Sequence, residues 1–402
     1  KRSLTYPTSS FSFDSFEDFA LIGNTQDEKQ GQKFIEQGAV GCLLLAGGEG
    51  TRLRFQGPKG CYPISVIKQK SLFQIFAEKV VAASQLAETL LPLAIMLSPE
   101  NQQATQEFFR YHKNFGLDAS QLYFFVQQTL PFLDKEAKLF LEKPWKVANG
   151  PNGNGNSLLY FFQSGIGQKW KEQGVQFLQT VLIDNPLANP FDAEFVGFHI
   201  RQQADVSLKA VEKTQPNEKV GVLVKKETGC TIIEYSELSE KEKHSKKSNG
   251  QLKHCCANSG LFCFSFTFID QMIREQQSLP LHKAWKPSSY VDEQGNSHFS
   301  NEPMAWKFET FIFDWLEKAA RISVLLYPRE KCFAPLKNFS GEDSPEIVRN
   351  ALQAADRRAI EKLTALPAPT YPFELAPQFH YPTPSLQSAW KGRLPVNAYI
   401  TN

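Results

Sequence analysis

Ala39-Val40-Gly41-Cys42-Leu43-Leu44-Leu45-Ala46 is a continuous apolar run, and Gly47-Gly48-Glu49-Gly50-Thr51-Arg52-Leu53 follows it directly. A short apolar run without alternation is what a central strand buried on both faces requires. The glycine-rich turn leaves that strand at its carboxyl end, the edge at which open α/β sheets bind ligands. Glycines there let the backbone approach a phosphate and aim N–H groups at its oxygens. Arg52, and Lys59 within Pro58-Lys59-Gly60, add positive charge.

Two familiar phosphate loops do not fit. A P-loop needs G-x-x-x-x-G-K-[ST], and Arg54 and Phe55 stand where that pattern would have to be completed. A dinucleotide fingerprint needs a third glycine after Gly48-Glu49-Gly50, where Leu53 stands, and an acidic residue about 20 positions on to hold a ribose. From Thr51 to Ala77 there is no Asp or Glu, while Arg52, Arg54, Lys59, Lys68 and Lys70 are present. That local excess of cations suits a triphosphate.

Working outward, Ser71 to Val81 has a helical pattern, Leu93 to Leu97 reads as a strand, residues 100–113 as a helix and Leu122 to Val126 as a strand. The order β-loop-α-β-α-β predicts a wound α/β sheet. Val175 to Ile183 predicts a further strand ending at Asp184-Asn185. Ala204 to Val211, Val220 to Lys225 and Thr231 to Tyr235 lie close together, which predicts antiparallel pairs on one edge. Residues 1–39 form a polar lead-in with weak helical patterns around Phe16, Phe19 and Ala20 and around Phe34 and Ile35. Residues 40–338 read as the main domain, with a charged hairpin loop from Glu240 to Gly250. Residues 339–402 hold a helical segment, Pro345 to Leu363, and a proline-rich stretch expected to be an extended strap or tail rather than a second core.

Composition narrows the function classes. The 402 residues carry a formal net charge of +2, so nothing calls for nucleic acid or a membrane surface, and any anion site must be local. The longest apolar stretch, Leu90 to Leu97, falls well short of the ~20 residues of a membrane helix. Lys1 to Asp14 lacks the apolar core of a signal peptide. Seven cysteines, an odd number with no C-x-x-C spacing, predict buried free thiols in a reducing cytoplasm. The seven histidines show no paired metal spacing and read as solvent or core residues.

Several separate motifs, in a fixed order over about residues 40–355, resemble the eukaryotic-type UDP-N-acetylglucosamine pyrophosphorylases and, less closely, the UDP-glucose and UDP-sugar pyrophosphorylases. Leu45 to Leu53 resembles L-A-G-G-x-G-T-R-L, and Pro58 to Gly60 the P-K-G element. Gln127 sits where the family reads uracil, and Pro151-Asn152-Gly153-Asn154-Gly155 resembles P-D-G-N-G. Asp184-Asn185 resembles the D-N pair near the metal. Val211 to Thr214, Val220-Gly221-Val222 and Glu234-Tyr235-Ser236-Glu237 look like the sugar-binding wall, and Asn258 like a sugar-contacting Asn. Lys307, Phe311, Phe313 and Asp314 resemble K-x-x-x-F-x-F-D, and Phe333 to Asn338 resembles F-S-P-L-K-N. Departures are Arg54 in place of a Gly after T-R-L, Asn152 in place of Asp, and Asn156 in place of Gly.

The resemblance implies a Rossmann-like nucleotide-diphospho-sugar transferase fold, with a mixed, mainly parallel sheet flanked by helices and short terminal appendages. It implies that UTP and a sugar 1-phosphate are joined into a UDP-sugar with release of pyrophosphate. Ala46, Gly47, Gly48, Gly50, Thr51, Gln127 and Gly153 would bind the nucleotide. Asn154, Gly221, Glu234, Tyr235, Asn258, Lys307, Phe311 and Phe313 would bind the sugar. Arg52, Lys59, Lys337 and Asp184 would carry the chemistry, with Asp184 placing Mg²⁺. A phosphate monoester has its second pKa at about 6, so the nucleophile is already anionic at neutral pH and no general base is needed. The difficulty is bringing two polyanions together, which calls for cations, backbone N–H groups and a divalent ion. Asn154, where UDP-glucose enzymes tend to carry His, favours an N-acetylated sugar. Glucose 1-phosphate, a broad sugar range, and a non-catalytic nucleotide-sugar-binding protein stay open. A glycosyltransferase needs a D-x-D motif, and Asp184-Asn185-Pro186 lacks the second Asp.

Overall fold

The computed structural model describes residues 24–225, 230–292, 294–390, 392 and 394–401, and the backbone of residues 9–10 and 17–18. Phe16, Phe19 and Ala20 lie outside the described residues. Phe34 and Ile35 fall in helix α1 (Thr25–Glu36). The apolar run becomes β1 (Val40–Leu45), buried along its whole length. Helix α2 (Leu72–Ala87) starts where the Ser71 hydroxyl accepts the Gln74 N–H, and stops at Glu88 in a left-handed conformation. Then come β2 (Leu93–Leu97), α3 (Gln102–Tyr111) and β3 (Leu122–Val126). After them stand β4 (Phe177–Leu182), α4 (Ala193–Arg201), β5 (Val206–Glu212), β6 (Cys256–Ser265), β7 (Ile322–Leu326) and α5 (Pro345–Thr364).

Among the described residues these strands belong to one eleven-stranded sheet, running β7-β5-β6-β4-β1-β2-β3 with Glu17–Asp18 beyond β7. Strand β6 is antiparallel to β4 and β5, and the other neighbours along this row pair in parallel. The carboxyl ends of β1, β2, β4 and β5 therefore share one edge, the edge to which the glycine-rich turn belongs. Alternate β1 residues feed two cores. Cys42 and Leu44 join Phe73, Phe76, Val80 and Phe109 on one face. Leu43 and Leu45 join Phe125, Phe161, Trp170, Phe262 and Trp315 on the other.

One expectation changes and another is narrowed. Val222–Lys225 and Cys230–Ile233 do form an antiparallel pair, but β5 lies inside the sheet between β6 and β7. Strands β6 and β7 were both unforeseen, β6 because Asn258-Ser259-Gly260 in its middle reads as a turn. Those residues form an irregularity facing Lys209 and Ala210, with Gly260 at φ +75°. The proline-rich stretch is docked, not free. Phe373, Leu375, Phe379 and Leu386 close a small cluster with Ile360 of α5. Tyr381 enters the main core, its hydroxyl donating to Pro190 O at 2.6 Å. Proline marked an extended backbone correctly but hid these anchors.

All seven cysteines are free, and no helix among the described residues is long and apolar enough to cross a membrane. Behind the sheet edge, the buried Lys79 amine donates to Pro186 O at 2.8 Å and Ala188 O at 2.9 Å, holding the turn after β4. Burial pushes its pKa down from 10.5 to about 7, with Asp356 opposing the shift. Between those values the unfolded chain holds the extra proton, so Lys79 makes stability rise with pH, by at most about 1.4 kcal/mol per pH unit. The stability of wild type minus that of Lys79→Met, from urea unfolding, is expected to grow between about pH 7 and about pH 9. A difference independent of pH would show that Lys79 stays charged when folded.

Candidate active site

The glycine-rich turn is held from three sides. Ala46 N–H donates to Met96 O at the end of β2, Gly50 N–H to Gly57 O, and Lys59 N–H to Gly48 O. Beneath it sits Asn101, almost fully buried. Its amide donates to Ala46 O at 3.0 Å and Gly48 O at 3.5 Å, while its Oδ1 accepts the Ser98 N–H at 2.9 Å. Asn101 precedes α3 yet makes no capping bond to it. It engages two loop carbonyls instead, leaving neighbouring N–H groups for a ligand. Sequence reasoning missed Asn101, because an Asn before a helix reads as an ordinary cap.

Gly47 and the buried Gln127 are in contact, since a Cβ at position 47 would lie 2.2 Å from Gln127 Nε2. Thr51 and Arg52 are exposed on the short 3₁₀ turn Thr51–Leu53. Arg54 ends that turn in the left-handed region, φ 54°, and its guanidinium lies 4.4 Å from the Phe339 ring centre. Arg54 thus ties the turn to the segment that carries Lys337.

That segment meets the end of β4. Asn185, fully buried, donates to Cys332 O at 2.8 Å and accepts the Ala334 N–H at 3.0 Å. Leu336 N–H donates to Asp184 O at 2.7 Å. Lys59 Nζ lies 3.5 Å from Asp184 Oδ2 and 3.4 Å from Leu336 O. Lys337 Nζ lies 3.8 Å from Asp343 Oδ2. Burial and the Asp184 charge raise the Asp343 carboxyl pKa, against the pull of Lys337. Asp184 Oδ1 is buried with no hydrogen-bond partner among the described residues. Two lysines, an unsatisfied carboxylate oxygen and a glycine-rich turn converge here.

The remaining residues form an adjoining wall. Asn258 N–H donates to Gly221 O at 2.9 Å, and a Cβ on Gly221 would stand 3.0 Å from Glu234 Oε1. Burial, then the neighbouring Glu237, lift the Glu234 pKa to about 7, opposed by Lys337 and His282. Tyr235 is exposed beside it. The Asn152–Gly155 turn is stitched to residues 310–315. Gly153 has φ +82°, a value that suits glycine, and a Cβ there would fall 2.2 Å from Thr310 O. Trp315 Nε1 donates to Gly155 O at 2.8 Å. Ile312 N–H donates to Asn154 Oδ1 at 3.0 Å, so the acceptor of that amide is engaged and its NH₂ remains to donate. The Phe311 and Phe313 rings stack, centres 5.0 Å apart, on a 3₁₀ turn rather than a strand. The Lys307 ammonium lies 4.5 Å from the Phe132 ring centre.

His282 was also missed. Its Nδ1 lies 3.0 Å from Glu237 Oε1 and its Nε2 3.1 Å from Asp314 Oδ2. Burial opposes its charge, but the bonds to Asp314 and Glu237 prevail and raise its pKa to about 10. Those partners stand 45 and 32 residues away in the chain, so no local spacing revealed them.

The family model described as UTP–glucose-1-phosphate uridylyltransferase matches residues 7–347. The Saccharomyces cerevisiae UDP-N-acetylglucosamine pyrophosphorylase is 32% identical over 392 residues, covering 93% of this chain and 81% of the yeast protein. The Arabidopsis thaliana UDP-N-acetylglucosamine diphosphorylase 2 is 34% identical over 338 residues, 80% of this chain and 66% of that protein. The chain thus spans about two thirds of the length of several curated relatives it matches. The crystal structure of the Trypanosoma brucei uridine diphosphate N-acetylglucosamine pyrophosphorylase superimposes with a TM-score of 0.81 at 25% identity, covering 98% of this chain and 86% of that one.

Arg54 sets two effects against each other. A side chain in the left-handed region costs roughly 1–2 kcal/mol. An exposed cation–π contact returns about 0.5–1 kcal/mol. Arg54→Gly removes both and loosens the unfolded chain, so its unfolding free energy is expected within about 0.5 kcal/mol of wild type. Arg54→Ala keeps the strain and loses the ring contact, and is expected to lose about 1 kcal/mol. A larger loss in Arg54→Gly than in Arg54→Ala would mean that position 54 is unstrained.

Proposed function

Because the chain belongs to the UTP–glucose-1-phosphate uridylyltransferase family, we propose that it joins UTP to a sugar 1-phosphate, most readily N-acetylglucosamine 1-phosphate, releasing pyrophosphate and a UDP-sugar. The observation that carries this reading is the meeting of Lys59, Asp184 and the Lys337 segment beside the glycine-rich turn. An oxygen of the sugar phosphate forms a bond to the α-phosphorus of UTP as the bond from that phosphorus to the bridging oxygen of pyrophosphate breaks. Arg52, Lys59 and the turn's N–H groups would hold the leaving pyrophosphate, and Lys337 the incoming or α-phosphate. Their fixed positions stabilise charge without reorganisation at the moment of reaction. Gln127 would read the uracil edge, with Gly153 lying against the base.

Asp184 would hold Mg²⁺. Its Oδ1 is a hard oxygen ligand, buried and without a partner among the described residues. Those residues contain no group of three or more His, Cys, Asp or Glu side chains able to cage a metal, which suits an ion carried in largely on phosphate oxygens. When bound, the ion would offset charge on the phosphates. The preference for an acetamide is supported by the free NH₂ of Asn154 and by the adjacent Phe311–Phe313 stack, an apolar seat for a methyl group. Glu234 and Asn258 would grip sugar hydroxyls. Seven unpaired thiols support a cytoplasmic setting.

The first measurement is pyrophosphate release from UTP and Mg²⁺ with glucose, galactose, N-acetylglucosamine and N-acetylgalactosamine 1-phosphates. Release is expected to be fastest with N-acetylglucosamine 1-phosphate; glucose 1-phosphate leading would transfer the reading to a UDP-glucose enzyme. Silence with every sugar, in a protein that binds UTP, would indicate a binding protein. Arg52→Ala and Lys337→Ala are each expected to slow turnover about a hundredfold or more, as for loss of one preorganised donor. Near wild-type turnover in either would remove that residue from the mechanism.

A further inference from the structure

We propose that His282 is the positioning residue of the sugar pocket: by bridging Glu237 and Asp314 it fixes the Phe311–Phe313 ring pair, and with it the preference for an acetamide-bearing sugar. The inference rests on the sugar-phosphate reading above and names a residue that touches no substrate.

The bridge joins three distant parts of the chain. His282 opens strand His282–Lys286, where it pairs with Glu309. Glu237 stands in the turn after Glu234, on the sugar wall. Asp314 lies in the 3₁₀ turn of the two phenylalanines and is almost fully buried. Asp314 Oδ2 accepts the Phe311 N–H at 3.1 Å as well as facing His282 Nε2. The imidazole itself packs on Phe311, ring centres 4.8 Å apart, and edge-on to Phe313 at 6.0 Å. His282 therefore acts on the ring pair twice, through the carboxylate that orients the Phe311 backbone and through direct contact. Asn154 holds the intervening Ile312 N–H from the opposite side.

Charge gives the bridge its necessity. The groups facing His282 are Glu237, Asp314 and Glu234, with Glu309 on the paired strand. Lys337, beyond Glu234, also bears on this wall, and Lys286 lies 3.9 Å from Glu309. Without the imidazolium, Asp314 and Glu237 lose their shared counter-charge, and a buried carboxylate left unpaired turns toward solvent or takes up a proton. Turning away releases the Phe311 N–H, and protonation weakens the bond to it, so either response loosens the ring pair. The bond from His282 also holds Glu237 below its ordinary carboxylate range, while burial and Glu237 hold Glu234 above it. The two acids of the wall are thereby set apart, one charged and one able to share a proton with a sugar hydroxyl.

The test compares wild type, His282→Ala and His282→Gln. The readout is kcat/KM for N-acetylglucosamine 1-phosphate relative to glucose 1-phosphate, with KM for UTP measured alongside. His282→Ala is expected to lower that ratio about tenfold or more, the scale of one misplaced apolar contact, through KM for the acetylated sugar phosphate. KM for UTP is expected to stay within about twofold, because His282 lies on the sugar side of the pocket. His282→Gln, whose NH₂ can donate to both carboxylates, is expected to recover part of the ratio, and it carries the test should the Ala variant not fold. By NMR, the His282 ring is expected to remain protonated in wild type at about pH 8.5, two units above a free imidazole. An unchanged ratio in a folded variant, equal loss with both sugars and with UTP, or a ring that titrates near its free value would each overturn the proposal. A wild type that transfers uridylyl to no sugar phosphate would instead overturn the reading on which it rests.

Discussion

The buried side chain of Asn185 is the constraint on which the site depends. It donates to Cys332 O and accepts the Ala334 N–H, pinning the end of the short helix Arg329–Cys332 and the chain that leaves it. That stretch lies about 150 residues further along the chain, yet it is locked to the end of β4. Once locked, Leu336 N–H reaches Asp184 O, Lys59 finds Leu336 O, and Lys337 follows immediately. Breaking a buried amide of this kind leaves a donor and an acceptor unsatisfied together, each costing about 1–3 kcal/mol. A local fault there would separate the cations from the carboxylate.

Electrostatics explains why the cluster tolerates so much charge before a ligand arrives. Lys59 and Lys337 rest near Asp184 and Asp343, at 3.5 and 3.8 Å, longer than a close charge-assisted hydrogen bond of about 2.7–2.9 Å. Such pairs restrain the lysines without binding them tightly. In the proposed reaction phosphate oxygens would take over the ammonium groups, leaving Asp184 free to hold the divalent ion. Arg54 adds a mechanical link, since its contact with Phe339 joins the turn that would hold one substrate to the segment that would hold the other.

Much of this was legible in the sequence, and the exceptions share a cause. Leu43, Leu44 and Leu45 announced a doubly buried strand, and the glycines after them announced the turn, because strand burial and turn chemistry are local. Leu122–Val126 was legible to the residue for the same reason. Strand β6 was not, since Asn258-Ser259-Gly260 is local turn chemistry overridden by pairing with β5. Asn101 was hidden because its local role, a helix cap, is forgone for a contact 55 residues away. His282 was hidden because its partners come together only through the tertiary fold. The proline-rich tail was read from its backbone preference, while Phe373, Phe379 and Tyr381 decide where it docks.

The same division of labour runs through the sugar wall. Asn154 was read as favouring an N-acetylated sugar, and its oxygen is taken by Ile312 N–H. The selectivity proposed for it would come from a donor aimed by that bond, beside rings placed by a different bond through Asp314. A donor alone does not separate an acetamide from a hydroxyl, because either oxygen can accept. The distinction falls to the apolar seat beside it, and a seat for one methyl group is worth only about 1–3 kcal/mol of discrimination even when well shaped. So small a margin survives only if Phe311 and Phe313 hold their positions closely. On this proposal the shape of the wall is set by the buried Asp314, by Glu237 and by their shared counter-ion, and not by the phenylalanines alone.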